Sequence, residues 1–157
     1  MTTPLKAGVH CVMATPFLPD ESLDEESLAS LIDYLVDGGC DGILILGVLG
    51  EADKLSDAER DVMIRRSIEL SAGRLQVSVG ITHPSTKVAR ERALACVEAG
   101  AAAVMVSPSP GMAAGPALKS HFQRIAADLP IPFIIQDHPT SSGVKMPVEF
   151  IAGLFDS

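Results

Sequence analysis

Apolar residues follow two alternating rhythms along this chain. Short aliphatic runs bounded by glycine or proline read as strands buried on both faces; longer stretches with apolar positions every three or four residues read as amphipathic helices. Residues 8–14 form the first run, closed by Thr15-Pro16-Phe17, where a proline ends pairing. Asp24 is placed to cap a helix carrying Leu28, Leu31, Ile32 and Leu35 on one stripe, and Gly38-Gly39 stops it. The second run, 43–46, breaks at Gly47, passes Gly50 and reaches Ser56-Asp-Ala-Glu59. That is a capping box, in which a hydroxyl and a carboxylate satisfy the N–H groups orphaned at a helix start. The helix it opens ends near Gly73.

The same unit recurs. A strand at 75–81 leaves through Thr82-His83-Pro84, and Ser85 caps a helix with Ala89, Ala93, Cys96 and Val97 on its apolar face. A fourth strand, 102–106, enters a loop over 107–115, before a helix lined by Leu118, Phe122, Ile125 and Ala126. A fifth, 132–135, enters a loop over 136–143, and a last helix starts at Pro147 and presents Phe150, Ile151 and Leu154. Five strand–helix units at a spacing of roughly 30 residues are βα repeats. No linker or low-complexity stretch divides them, so residues 1–157 read as one domain. Two architectures fit the pattern: an open, doubly wound five-stranded sheet, or part of a (β/α)₈ barrel, which needs about 250 residues.

Composition narrows the core and the partners. Hydrophobic residues make up 47% of the chain and aromatics only 4%, so the core is aliphatic, as close packing of helices on a parallel sheet favours. A formal net charge of −8 argues against nucleic acid or an anionic membrane as partner. The first residues lack the apolar core of a signal peptide and no run reaches membrane-spanning length, so the expected location is cytoplasmic. Cys11, Cys40 and Cys96 lie far apart in mostly apolar surroundings, which predicts buried free thiols and no metal cluster.

In parallel α/β sheets, ligands are met at the loops leaving the C-terminal ends of strands. The Gly47-Val48-Leu49-Gly50 loop lets backbone N–H groups approach a small anion, although such a loop also serves simply as a tight turn. Gln136, Asp137 and His138 end strand five and are the candidate catalytic group. Adjacent strand residues point to opposite faces, so Asp137 and His138 are not expected to act as a pair. His83 ends strand three and is a candidate for the same rim. His10 lies at the opposite end of the sheet and reads as structural. Thr15-Pro16 is expected to shape the pocket floor, and Glu51 to hold its loop. A metal site from His83, Asp137 and His138 has suitable ligand chemistry but no supporting spacing, so none is assigned.

Several of these stretches also stand in the order of a known family. Gly8-Val9, Ala14-Thr15-Pro16-Phe17, Asp24-Glu25-Glu26, Gly42 through Gly47-x-x-Gly50-Glu51, and Leu55-Ser56-x-x-Glu59-Arg60 come first. Gly100-Ala101-x-Ala103, Ser107-Pro108, His121-Phe122 and Pro139-x-x-x-Gly143 follow. Together they resemble the dihydrodipicolinate synthase / N-acetylneuraminate lyase family, class I aldolases on a TIM barrel that bind pyruvate to a lysine as a Schiff base. The resemblance implies a partial (β/α)₈ barrel with five of the eight units. It implies a small 2-keto acid such as pyruvate as substrate; no cofactor is assigned, and the free edges and uncovered inner face of a barrel segment predict self-association, a homo-oligomer. The family's lysine lies on the sixth strand, beyond Ser157; Lys6, Lys54, Lys87, Lys119 and Lys145 match no such position and read as surface charges.

The resemblance also exposes departures. The family's second-strand loop reads Gly-Thr-Thr-Gly-Glu, where one threonine joins a hydroxyl proton relay and the next holds the pyruvate carboxylate. Val48 and Leu49 carry no hydroxyl, which leaves backbone N–H groups for Gly47, Val48 and Leu49 to offer. The relay tyrosine after strand four falls at Ser109-Pro110, the tyrosine ending strand five becomes Gln136, and the arginine gripping the synthases' second substrate matches Ser141. The expectation is a divergent lyase or aldolase with Gln136, Asp137 and His138 in the catalytic position and Gly47, Val48, Leu49, Thr15 and His83 around the substrate. A non-catalytic relative, or a half-barrel working only by assembly, is the alternative. A receiver-like module fits less well, because Gly80-Ile81-Thr82-His83 lacks an acceptor aspartate. A flavodoxin-like one meets Pro16 where an N–H is needed.

Overall fold

The computed structural model describes residues 4–155. Its strands are β1 (His10–Val12), β2 (Gly42–Ile45), β3 (Gln76–Gly80), β4 (Ala103–Val106) and β5 (Phe133–Ile135), all parallel and ordered β1-β2-β3-β4-β5. Strand one is at an edge, so the doubly wound alternative, which places it inside the sheet, is excluded. The helices are α1 (Glu25–Asp37), α2 (Asp57–Ser71), α3 (Thr86–Ala99), α4 (Pro116–Ala126), α5 (Pro139–Ser142) and α6 (Val148–Ala152). Among the described residues no helix is long and apolar enough to cross a membrane.

Helix starts follow the sequence closely. Asp24 accepts from Ser27 N at 2.9 Å, and Ser56 and Glu59 form the reciprocal capping box. Ser85 caps α3, and Gly100 ends it at φ +90°. Two expectations need correction. Strand one pairs only over His10–Val12, because Gly8 turns at φ +155° and Thr15 is drawn into a loop contact. The segment after β5, expected as plain loop, winds into the short α5, with Ser141 and Ser142 N–H groups both donating to His138 O.

Strand register divides the sheet into two unlike faces. Cys11, Ile43 and Val77 stand in one row and Ile45, Val79, Val104 and Phe133 in the next, on the face the helices cover. Ile43, Ile45, Val79, Val104 and Val106 are fully buried there with Leu28, Ile32, Met63, Ala93, Phe122 and Ile125. Each such aliphatic side chain contributes about 1.5–3 kcal/mol by leaving water. The opposite face carries Val12, Leu44, Ser78 and Ala103 in register, then Gly80, Met105 and Ile134. Ser78, Gly80 and Ala103 are small, and at the β1 edge Val12 is 38% exposed. Cys96 is buried, which pushes its thiol up to about 11, whereas Cys11 and Cys40 are half-buried; all three are free.

Candidate functional site

A cavity of about 490 Å³ opens where the strands end. Leu46, Gly47 and Val48 line it after β2, Thr82 and His83 after β3, Ser107, Pro108 and Pro110 after β4, and Gln136 after β5. Arg60 and Arg92 reach it from α2 and α3, and Ser141 and Ser142 from α5.

The β2 side is tightly built. Leu46 takes a left-handed conformation, φ +55°, and Gly80 of β3 lies so close that a Cβ there would collide with the Leu46 carbonyl oxygen. Gly50 packs against Leu46 N and Met13 O. The buried Thr15 hydroxyl donates to Gly50 O at 2.6 Å and pins the far end of the loop. Among the described residues no hydrogen bond uses the N–H of Gly47 or Val48. Backbone donors without a protein acceptor suit a small anion.

Two arginines brace the wall. Arg60, only 5% exposed, donates from Nη2 to Gly80 O at 2.9 Å and from Nη1 to Ala52 O at 3.3 Å. Burial, then the nearby Arg92, lowers its pKa from the usual value. Arg92 donates to Thr82 O at 3.2 Å and to Asp57 Oδ1 at 3.0 Å. Sequence reasoning placed Arg60 in a motif without giving it a role. The available signal was an arginine one residue after a capping box, on the helix that follows the glycine loop.

The expected site residues separate into two groups. Gly47, Val48, His83 and Gln136 line the cavity. Thr15 and Leu49 do not: Thr15 acts through Gly50, and Leu49 is 58% exposed. Asp137 and His138 also lie outside the lining and are exposed; the His138 ring meets Ser141 Oγ at 2.7 Å. His10 contacts Lys6 O at 3.0 Å through Nε2, at the far end of the sheet. Among the described residues no group of three or more metal-ligating side chains gathers. None of the five lysines lines the cavity; Lys119 donates to Gly153 O, and Lys54 and Lys87 pair with Asp53 and Glu91.

The sequence profile of the Dihydrodipicolinate synthetase family matches residues 5–157. The chain belongs to that family. It is 35% identical over 150 residues to a 4-hydroxy-tetrahydrodipicolinate synthase of Nitrosococcus oceani, covering 95% of this chain and 51% of that protein. It is 34% identical over 155 residues to an L-2-keto-3-deoxyarabonate dehydratase of Azospirillum brasilense, covering 96% and 50%. Among solved structures, YagE, a prophage protein of the dihydrodipicolinic acid synthase family from E. coli K12 in complex with pyruvate, superposes with a TM-score of 0.90. Identity is 26%, and the match covers 98% of this chain and 52% of that one. The dihydrodipicolinate synthase of Rhodopseudomonas palustris gives 0.87 at 34% identity, covering 99% and 52%. The chain thus spans about half the length of its relatives, and its five βα units are a partial (β/α)₈ barrel.

Proposed function

We propose that this site serves a Schiff-base lyase or aldolase acting on a 2-keto acid such as pyruvate, with an altered set of proton-transfer groups. The observation that carries the reading is the pairing of unused Gly47 and Val48 N–H groups with Gln136 across one strand-end cavity. A family relative solved with pyruvate supports it. In this reading the two N–H groups receive the keto acid's carboxylate, and Thr15 keeps their loop in place through Gly50.

Gln136 extends β5, its N–H donating to Val106 O at 2.8 Å, and stands on the reacting side. It donates and accepts hydrogen bonds but does not readily exchange a proton, so it orients a carbonyl or hydroxyl. Proton transfer then falls to His83, a substrate group or water. Asp137 and His138, outside the cavity lining, take no direct part in this reading. The dehydratase relative favours a substrate other than the synthases' own. The working protein is a cytoplasmic homo-oligomer that needs no cofactor.

The amine comes from outside the five lysines of this sequence. Pyruvate with borohydride therefore leaves the mass of the 157-residue chain unchanged. The same treatment of a protein that continues through a sixth-strand lysine adds one reduced pyruvyl group. A specific, borohydride-stable adduct on the 157-residue chain would overturn this assignment. Val48 and Pro110, where the resemblance implies relay hydroxyls, favour a second reading: a non-catalytic relative, or a half-barrel active only by assembly. That reading gains if the longer protein also forms no adduct.

A further inference from the structure

We propose that His121, which lies on α4 outside the cavity, is the positioning residue for the His83 imidazole. The inference rests on the reading that gives His83 a part in proton transfer, and it names what holds that ring in place. His83 follows β3 and lines the cavity, and its Nδ1 accepts from Ser85 N–H at 3.0 Å. An amide N–H has only a donor to give, so Nδ1 is the acceptor and the neutral ring carries its proton on Nε2. The orientation of the ring therefore depends on where the Ser85 amide stands.

That amide sits at a junction. Ser85 is the N-cap of α3, its hydroxyl accepting from Val88 N at 3.4 Å, and Thr86 is the first residue of the helix. On the strand side of His83 the chain is already tied. Arg92 donates to Thr82 O at 3.2 Å, and Ser107 N–H donates to the Thr82 hydroxyl at 3.0 Å. On the helix side, α3 packs along α4. Arg90 fastens the far end of that seam through the carbonyls of Arg124, Ile125 and Ala127. At the near end the Thr86 hydroxyl and His121 Nδ1 lie 2.8 Å apart. Among the described residues this is the one hydrogen bond that joins residues 83–86 to α4.

An imidazole is a costly way to fill that place. His121 is only 5% exposed, and its Nε2 is buried without a partner among the described residues. Native structures keep few such atoms without a reason. Burial, then the nearby Arg124 and His83, lowers the ring's pKa from its ordinary value, so at neutral pH it is neutral and not kept for a charge. The ring packs on Phe122 with centroids 5.7 Å apart, and a phenylalanine would fill the same space with no orphaned nitrogen. What a hydrocarbon ring cannot do is hold Thr86. The nitrogen that does so accounts for the one left bare.

The test takes the complete protein with nitrogen-labelled histidine and serine and reads, by NMR, the scalar coupling across the hydrogen bond from Ser85 N–H to His83 Nδ1. His121→Phe, which keeps a ring, and Thr86→Val, which keeps the shape, should each reduce that coupling at least about twofold, since a hydrogen bond weakens steeply as it bends. The double variant should lose no more than either change alone, because both remove one contact. His121→Asn returns a polar atom near the place of Nδ1, and Thr86→Ser keeps the hydroxyl; both should retain most of the coupling, which a mere loosening of packing would not allow. A coupling absent from the wild type, unchanged in His121→Phe and Thr86→Val, or lost equally in the two conservative variants would each overturn the proposal. Deuterium uptake into the methyl group of pyruvate is measured in parallel, each exchange passing a proton from carbon to the base and returning a deuteron from solvent. A fall of about tenfold in His121→Phe with unchanged pyruvate affinity supports both readings. A lost coupling with unaltered uptake upholds the positioning and removes His83 from proton transfer. No uptake by the wild type sinks the Schiff-base reading, and the coupling then decides the positioning by itself.

Discussion

The loops after β2 and β5 leave the same end of the sheet and meet the same cavity, yet they are built in opposite ways. The β2 loop is held by distant parts of the chain: Thr15 bonds Gly50 across 35 positions, and Gly80 presses on Leu46 from the neighbouring strand. Arg60 ties Ala52 at its far end to Gly80. The β5 loop is held by itself. His138 bonds Ser141 three residues on, Ser142 bonds His138 O and Val144 O, and Gly143 turns at φ +69°. A loop fixed from outside positions backbone N–H groups to a fraction of an ångström. A loop fixed locally keeps its own shape but sets its side chains less firmly against the rest of the site.

Substitution should expose that contrast, most sharply at Gly80. Gly80→Ala drives a methyl into the Leu46 carbonyl oxygen, which is backbone and cannot step aside cheaply. Urea denaturation should show a loss of about 3 kcal/mol. An unchanged midpoint would mean that the β2 end is far softer than this packing implies.

Thr15→Val keeps the shape but leaves the buried Gly50 carbonyl without its donor. The expected cost is about 1–2 kcal/mol in the same assay, with weaker binding of pyruvate as the loop loosens. Stability lost without any change in affinity would separate Thr15 from the site.

Ser56→Ala removes the capping box at the far end of the β2 loop, for about 1 kcal/mol. It also carries a pH signature. Hydrogen bonds from the Ser56 hydroxyl, then from Ser56 N–H, hold the Glu59 carboxyl below its ordinary value of 4.5. A lowered folded-state value means stability that is present above pH 4.5 and lost as pH falls through the folded value. The Ser56→Ala penalty should therefore shrink on acidification, and a pH-independent penalty would refute the box as its source.

His138→Ala should do least. The residue is exposed and bonded within its own turn, so the change should stay within about 0.5 kcal/mol, with pyruvate affinity unaltered. A large loss of affinity would show that His138 itself reaches the ligand and erase the contrast.

Legibility in the sequence follows the range of each interaction. Caps at Asp24, Ser56 and Ser85 were readable because donor and acceptor lie three residues apart. The apolar stripes of α1, α3 and α4 were readable because periodicity is a local property, and Leu28, Ala93 and Phe122 are buried as it required. The short α5 escaped because its sequence, Pro-Thr-Ser-Ser, has no stripe to reveal it.

At the candidate site the chain alone could say which residues end strands, and hence that Gly47, His83 and Gln136 belong near one rim. It could not say that Thr15 works through Gly50, that Arg60 turns inward to two carbonyls, or that the Ser107 hydroxyl is left buried without a partner among the described residues. Those facts depend on residues many positions apart being brought together by strand register. In a parallel sheet that register lies between strands separated by a long helical crossover. The sequence by itself determined the order of the elements, their caps and the aliphatic face they share. Only the tertiary structure decided which polar groups face the cavity, because hydrogen-bond satisfaction is settled between neighbours in space and not between neighbours along the chain.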